Sequence, residues 1–212
     1  MIMVKSIPVG PLSTNCHVVT IPEAQKIFIV DPGADVDKIL NAVWAMPEFE
    51  SVEILLTHAH VDHFFAAGQV AQALNVPCVR LAKADWELYD SPNNEIFPYF
   101  GRAMDRPTPV DYEPNEFYEV LPMPGHTPGG VALFFRDGRD DMDSFIICGD
   151  SLFSGSIGRT DLPGGDMNAL INSIKTQILP LDNRYVIYPG HGIPTTVGRE
   201  RMTNPFLVDK RR

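Results

Sequence analysis

The segment His58-Ala59-His60-Val61-Asp62-His63 places four potential metal ligands within six residues, directly behind the apolar run 52–57. A run of that kind reads as a strand, so the cluster occupies the turn at a strand's end, where a rigid scaffold usually carries its chemistry. Neutral imidazole is a good ligand for zinc and iron, and the carboxylate adds a hard, charged oxygen that balances a second cation. A chain built around such a turn has to bring further donors to it from distant segments.

Three more donors have the same local setting. His126 lies in Pro124-Gly125-His126-Thr127-Pro128-Gly129-Gly130 and His191 in Tyr188-Pro189-Gly190-His191-Gly192, each behind a strand-like run, 117–121 and 185–188. Asp150 follows the apolar segment 145–148 and Gly149. Small, turn-forming neighbours let the backbone bend sharply and deliver one side chain to a shared point. An isolated histidine is more often solvated or packed in a core than bound to metal, but five placed in order reverse that expectation. His17, the sixth, matches no donor position and reads as structural. Asp31, in Asp31-Pro32-Gly33 after the strand-like run 26–30, reads mainly as a strand terminator, with a hydrogen bond to a metal ligand as its other reading.

The order His-x-His-x-Asp-His, then distant His, Asp and His, resembles the metallo-β-lactamase superfamily, and the resemblance runs from Asp31-Pro32-Gly33 to the His191 segment. It implies an α/β fold, a four-layer αββα sandwich with the metals at one edge. On that resemblance His58, His60 and His126 hold one metal, Asp62, His63 and His191 hold the other, and Asp150 bridges them. The chain is most similar to the glyoxalase II branch, which hydrolyses S-hydroxyacylglutathione thioesters such as S-lactoylglutathione. The matching residues are Gly149-Asp150-Ser151-Leu152-Phe153 and Gly158-Arg159. Arg159 aligns with a basic residue that contacts glutathione in that branch; a structural salt bridge is the other reading of it. Glyoxalase II proteins usually add a C-terminal helical domain, whereas this sequence stops at Arg212, soon after His191, and so resembles the short single-domain hydrolases.

The chemistry implied is attack of a metal-bound hydroxide on an activated carbonyl: two metals about 3.5–4 Å apart lower the pKa of a shared water towards neutrality. Asp62 is also the candidate proton shuttle to the leaving group. Zinc is the expected ion, one or two per chain, with iron and manganese accepted by the same donors. The rival implied by resemblance is a mononuclear-iron glutathione persulfide dioxygenase, which shares the fold and a segment like Gly158-Arg159-Thr160-Asp161. Against it stand a full second donor set and the Pro163-Gly164-Gly165-Asp166 segment.

Composition narrows the remaining classes. A chain of 212 residues with 44% hydrophobic content buries one substantial core, and donors spread from 58 to 191 point to a single domain over 1–212. The formal charge of −10 argues against nucleic-acid binding. The N-terminus carries no secretory pattern, and no stretch approaches transmembrane length, so no membrane association is expected. Cys16, Cys78 and Cys148 form an odd set without paired spacing, which fits a cytoplasmic protein. The expected partner is a small acyl-glutathione thioester, with no obligate protein partner. The tail Lys210-Arg211-Arg212 reads as solvated.

Strands are predicted near 2–8, 16–21, 26–31, 52–57, 77–81, 117–122, 130–136, 144–149 and 185–188. Helices are predicted at 35–46, capped by Asp35, at 63–75, opening from His63, and at 167–179. The irregular segment 82–116, with Trp86, Tyr89, Phe97, Tyr99 and Phe100, either overhangs the metals or packs its aromatics into the core.

Overall fold

The computed structural model describes residues 2–46, 48–94, 106–136 and 144–208, and its contacts divide the chain into two compact units, Met1–Tyr112 and Glu113–Arg212. In the first, β1 (Met3–Val9), β2 (Thr14–Ile21) and β3 (Lys26–Val30) form an antiparallel meander. Onto it β4 (Ser51–Leu55), β5 (Cys78–Arg80) and β6 (Thr108–Val110) add in parallel, in the order β1-β2-β3-β4-β5-β6. Parallel neighbours need crossovers rather than hairpins. Here α1 (Val36–Trp44) links β3 to β4, and α2 (Val61–Phe64) with α3 (Ala67–Leu74) links β4 to β5. Ile39 and Val43 of α1 and Val70 and Ala71 of α3 bury against Ile27, Ile29, Ile54 and Val79. The alternate strand residues Phe28, Val30 and Leu55 are buried as well, so these strands read as continuous apolar runs.

Two expectations fail here for identifiable reasons. Asp35 does not cap α1 with its side chain. It sits in the left-handed region at φ 52°, its backbone carbonyl takes the Lys38 and Ile39 amides, and its carboxylate turns to the Gly10 amide and the Lys38 ammonium. The helix predicted over 63–75 opens earlier, at Val61, and is broken at residues 65–66. Its interruption follows from the Asp31-Pro32-Gly33 turn: Gly33 packs so closely that a Cβ there would lie 1.8 Å from the Asp62 carbonyl oxygen, and the Ala66 amide donates to Pro32 O instead of closing the helical ladder.

Segment 82–94 folds into helical turns, Lys83–Asp85, α4 (Trp86–Asp90) and Pro92–Asn94. Tyr89 is buried in the first core and Trp86 packs partly against it, as the core reading expects. Phe97, Tyr99 and Phe100, like Lys210-Arg211-Arg212, lie outside the described residues. The unpredicted β6 is an edge strand containing Pro109, whose missing amide is tolerated only at a sheet margin.

The second unit is built on β7 (Tyr118–Pro122), β8 (Val131–Phe135) and β9 (Phe145–Gly149), joined antiparallel. A small hairpin of β10 (Leu152–Phe153) and β11 (Ser156–Ile157) follows, then α5 (Met167–Ser173), which runs on as a π-helical turn over Ile174–Ile178. Asp166 caps α5, accepting from the Asn168 and Ala169 amides at 2.8 and 3.0 Å. The chain returns as β12 (Val186–Pro189), parallel to β9, with β13 (Thr195–Thr196) at the edge and α6 (Val197–Thr203) after it. Leu170, Ile174 and Ile178 join Ala132, Phe134, Ile146 and Ile187 in the second core. No helix among the described residues is long and apolar enough to cross a membrane, and all three cysteines are free thiols.

Candidate metal centre

In the first unit the donors leave β4 after Leu56 and Thr57 and enter α2, with His60 in extended conformation at its first-turn boundary. His58, His60, Asp62 and His63 are all buried. The His58 ring meets the His60 ring edge to face at 4.9 Å and the His63 ring at 4.2 Å. Four buried polar side chains so close together are costly unless their heteroatoms are matched.

The matching runs through Asp31. Its carboxylate accepts from the Thr57 amide at 2.7 Å, the Thr57 hydroxyl at 2.7 Å and His63 Nδ1 at 2.9 Å. Because the Thr57 hydroxyl spends its proton on Asp31, its oxygen is left to accept from His58 Nδ1, 3.0 Å away. One carboxylate therefore fixes the tautomer of two imidazoles, leaving the Nε2 lone pair of each free of a proton. Asp31, His58 and His63 do bring donor atoms within 4.8 Å of one another, but these bonds make Asp31 the support and not a ligand. Asp31 thus hydrogen-bonds the candidate ligand His63, and the His17 ring is bonded to the Ser6 hydroxyl at 2.9 Å. Asp62 is steadied by the Thr14 hydroxyl at 3.0 Å, and its Oδ2 lies 3.6 Å from His63 Nε2.

The second unit repeats this arrangement. His126, on the turn after β7, gives its Nδ1 proton to Arg159 O at 2.7 Å. A carbonyl can only accept, so Nε2 carries the lone pair. That lone pair lies 3.6 Å from Asp150 Oδ2, and His191 Nε2 lies 3.5 Å from the same oxygen. Gly149, in the left-handed region at φ 49°, turns Asp150 out of β9, and the Gly190 amide bonded to Gly149 O at 2.8 Å aligns the end of β12 with it.

Imidazole lone pairs that face carboxylate oxygens repel one another unless a cation sits between them. The spacing fits one: two ligands each about 2.0–2.2 Å from a tetrahedral zinc are roughly 3.3–3.6 Å apart. Separations of 3.5–3.6 Å are too long for hydrogen bonds and match the edge of a coordination polyhedron. The donor chemistry thus fits a divalent metal.

Arg159 has an exposed guanidinium whose Nε and Nη2 fork onto Asp161 at 2.8 Å each, and this contact pulls the Asp161 carboxyl down to about 2. Its carbonyl is the group that orients His126. Sequence reasoning missed Thr14 and Thr57; only the adjacency of Thr57 to His58 signalled its part.

The sequence model of the Metallo-beta-lactamase superfamily matches residues 9–191. The chain belongs to that superfamily. The α/β fold expected for metallo-β-lactamase relatives is borne out by solved structures. The crystal structure of BLEG-1 B3 metallo-beta-lactamase superposes with a TM-score of 0.81 at 32% identity, covering 98% of this chain and 100% of that one. That of TTHA1623 in a di-iron-bound form gives 0.78 at 36% identity, covering 96% and 100%. Among curated relatives, the hydroxyacylglutathione hydrolase GloC of Haemophilus influenzae is 32% identical over 98% of this chain and 99% of its own length.

Within this superfamily member, Gly158 has a steric role. A Cβ at that position would lie 1.8 Å from Asp150 O and 3.2 Å from His126 Nδ1. Gly158→Ala is expected to displace both donors, cost about 1–3 kcal/mol of stability and weaken metal binding; thermal unfolding and a metal-competition titration check it.

Proposed function

We propose that this protein is a metal-dependent thioester hydrolase acting on S-hydroxyacylglutathione, S-lactoylglutathione foremost, and that both units belong to one catalytic domain. The observation that carries the metal reading is the pairing of the His63, His126 and His191 Nε2 atoms with the Asp62 and Asp150 oxygens at 3.5–3.6 Å. The substrate reading is supported by similarity to the GloC hydrolase, and the one-domain reading by a family match that runs from residue 9 to 191 across both units.

In this reading His58, His60 and His126 would hold one metal, Asp62, His63 and His191 a second, and Asp150 would be shared. The ions are zinc, or iron or manganese; the di-iron form of TTHA1623 makes iron a natural candidate. Bound there, such ions acidify water and polarise a thioester carbonyl. The chain's own residues do the rest. Asp31 and Thr57 hold two imidazoles in the metal-binding tautomer, and Arg159 O holds a third. Asp62, anchored through Thr14, would take the proton released by the attacking water and pass it to the departing thiolate. Asp62→Asn is expected to retain metal while losing turnover about 10²–10⁴-fold, read from metal content and kcat on one preparation.

Arg159 serves the glutathione carboxylate by exchanging its Asp161 partner for the substrate. Arg159→Ala is expected to raise KM about tenfold with kcat nearly unchanged, because a binding contact away from the reacting bond acts on ground and transition states alike. The free thiols Cys16, Cys78 and Cys148 suit a reducing, cytoplasmic setting.

The test is purification without oxygen, metal analysis, and parallel assays of S-lactoylglutathione cleavage and of oxygen uptake with glutathione persulfide. Thioester cleavage that is lost on chelation and restored by metal upholds the proposal. Oxygen consumption without hydrolysis replaces it with the mononuclear-iron dioxygenase.

A further inference from the structure

The peptide of Ala59, the residue between His58 and His60, is gripped on both sides by the segment that follows β5. Asp85 Oδ2 accepts the Ala59 amide at 3.0 Å, and the Asn94 side-chain amide donates to Ala59 O and, at 2.9 Å, to Leu88 O. Asp85 is fully buried, Asn94 is nearly so, and the Ala59 methyl is packed in the first hydrophobic core. A buried carboxylate is expensive, and a three-residue helical turn does not require one. Here it holds the His58–Ala59 peptide while Asn94 holds the Ala59–His60 peptide, so both backbone units between the two imidazoles are fixed.

Resting on the metal reading above, we propose that Asp85 and Asn94 are positioning residues that set the pitch of the His58-Ala59-His60 turn. The imidazole nitrogens are held about their own rings by Asp31 and Thr57, but those bonds act on His58 and His63 and leave the backbone between His58 and His60 to Asp85 and Asn94. The two kinds of support are complementary, one fixing tautomers and the other fixing the turn.

The experiment compares the full chain with Asp85→Ala, Asp85→Asn and Asn94→Ala. Zinc affinity is measured by chelator competition, the cobalt(II) absorption spectrum is recorded, kcat and KM are determined for S-lactoylglutathione, and unfolding of the metal-free protein is followed by heating. Asp85→Ala is expected to weaken metal binding about 10–100-fold, alter the cobalt bands and lower kcat more than KM. Asp85→Asn, which keeps an oxygen for the Ala59 amide, should recover most of that loss. Metal affinity and cobalt bands equal to wild type in Asp85→Ala, with only the melting temperature lowered, would reduce Asp85 to a packing residue and overturn the proposal. Should Asp85→Ala not fold, the same two readouts on Asn94→Ala decide: a shift supports the clamp, and wild-type values overturn it. A wild-type protein that binds no metal would instead overturn the metal reading itself.

Discussion

Asp31→Ala is expected to lose metal affinity about 10–100-fold and to unfold more easily by about 3 kcal/mol or more. The substitution removes the acceptor for the Thr57 amide, the Thr57 hydroxyl and His63 Nδ1 at once, in a place where water does not replace it. Asp31→Asn separates the two effects. Its oxygen still serves the Thr57 amide, so most stability survives. Its NH₂ group, however, faces the Thr57 hydroxyl and His63 Nδ1, and a donor there favours the opposite imidazole tautomer, with the proton on Nε2. Metal binding should therefore fall with little change in melting temperature, measured by chelator competition beside calorimetry. An Asn variant with wild-type affinity would mean that Asp31 is only the strand terminator its sequence context suggests.

Asp150→Ala should lower kcat/KM at least about 10³-fold, or roughly 4 kcal/mol of transition-state stabilisation. Its Oδ2 faces both His126 Nε2, at 3.6 Å, and His191 Nε2, at 3.5 Å, so one substitution takes the carboxylate away from both imidazoles. The same variant should bind fewer equivalents of metal, as elemental analysis after gel filtration reports. Stability is expected to change far less than for Asp31→Ala, because Asp150 is partly exposed and each imidazole keeps its other anchor or neighbour, Arg159 O for His126 and the Phe153 ring, centroid 6.3 Å away, for His191.

The candidate donors stand out in the sequence because metal chemistry restricts residue types and because they follow apolar strand-like runs, three of them, His126, Asp150 and His191, beside glycine. The long strands were legible for a related reason: burial on both faces leaves uninterrupted apolar runs such as Ile27–Val30 and Phe145–Cys148. What escaped the sequence was set by distant partners. The break after Phe64 comes from Pro32 and Gly33, thirty residues upstream by the measure of their contact with Asp62 and Ala66. The Asp35 side chain is drawn away from its helix by Gly10 and Lys38. Two-residue strands such as β10, β11 and β13 are too short to show any period, and β6 is masked by Pro109. The supports of the donors, Thr14, Thr57, Asp85 and Asn94, are ordinary polar residues whose meaning appears only once folding brings them against Asp62, His58 and Ala59.

Anomalous diffraction from a crystal of the metal-loaded protein, recorded at the absorption edge of the bound ion, addresses the central claim without reference to any substrate. Two peaks about 3.5–4 Å apart are predicted, each about 2.0–2.2 Å from imidazole Nε2 atoms of the seven-residue set and with Asp150 touching both. Metal bound through other side chains, or Nε2 atoms directed away from any peak, would contradict the account.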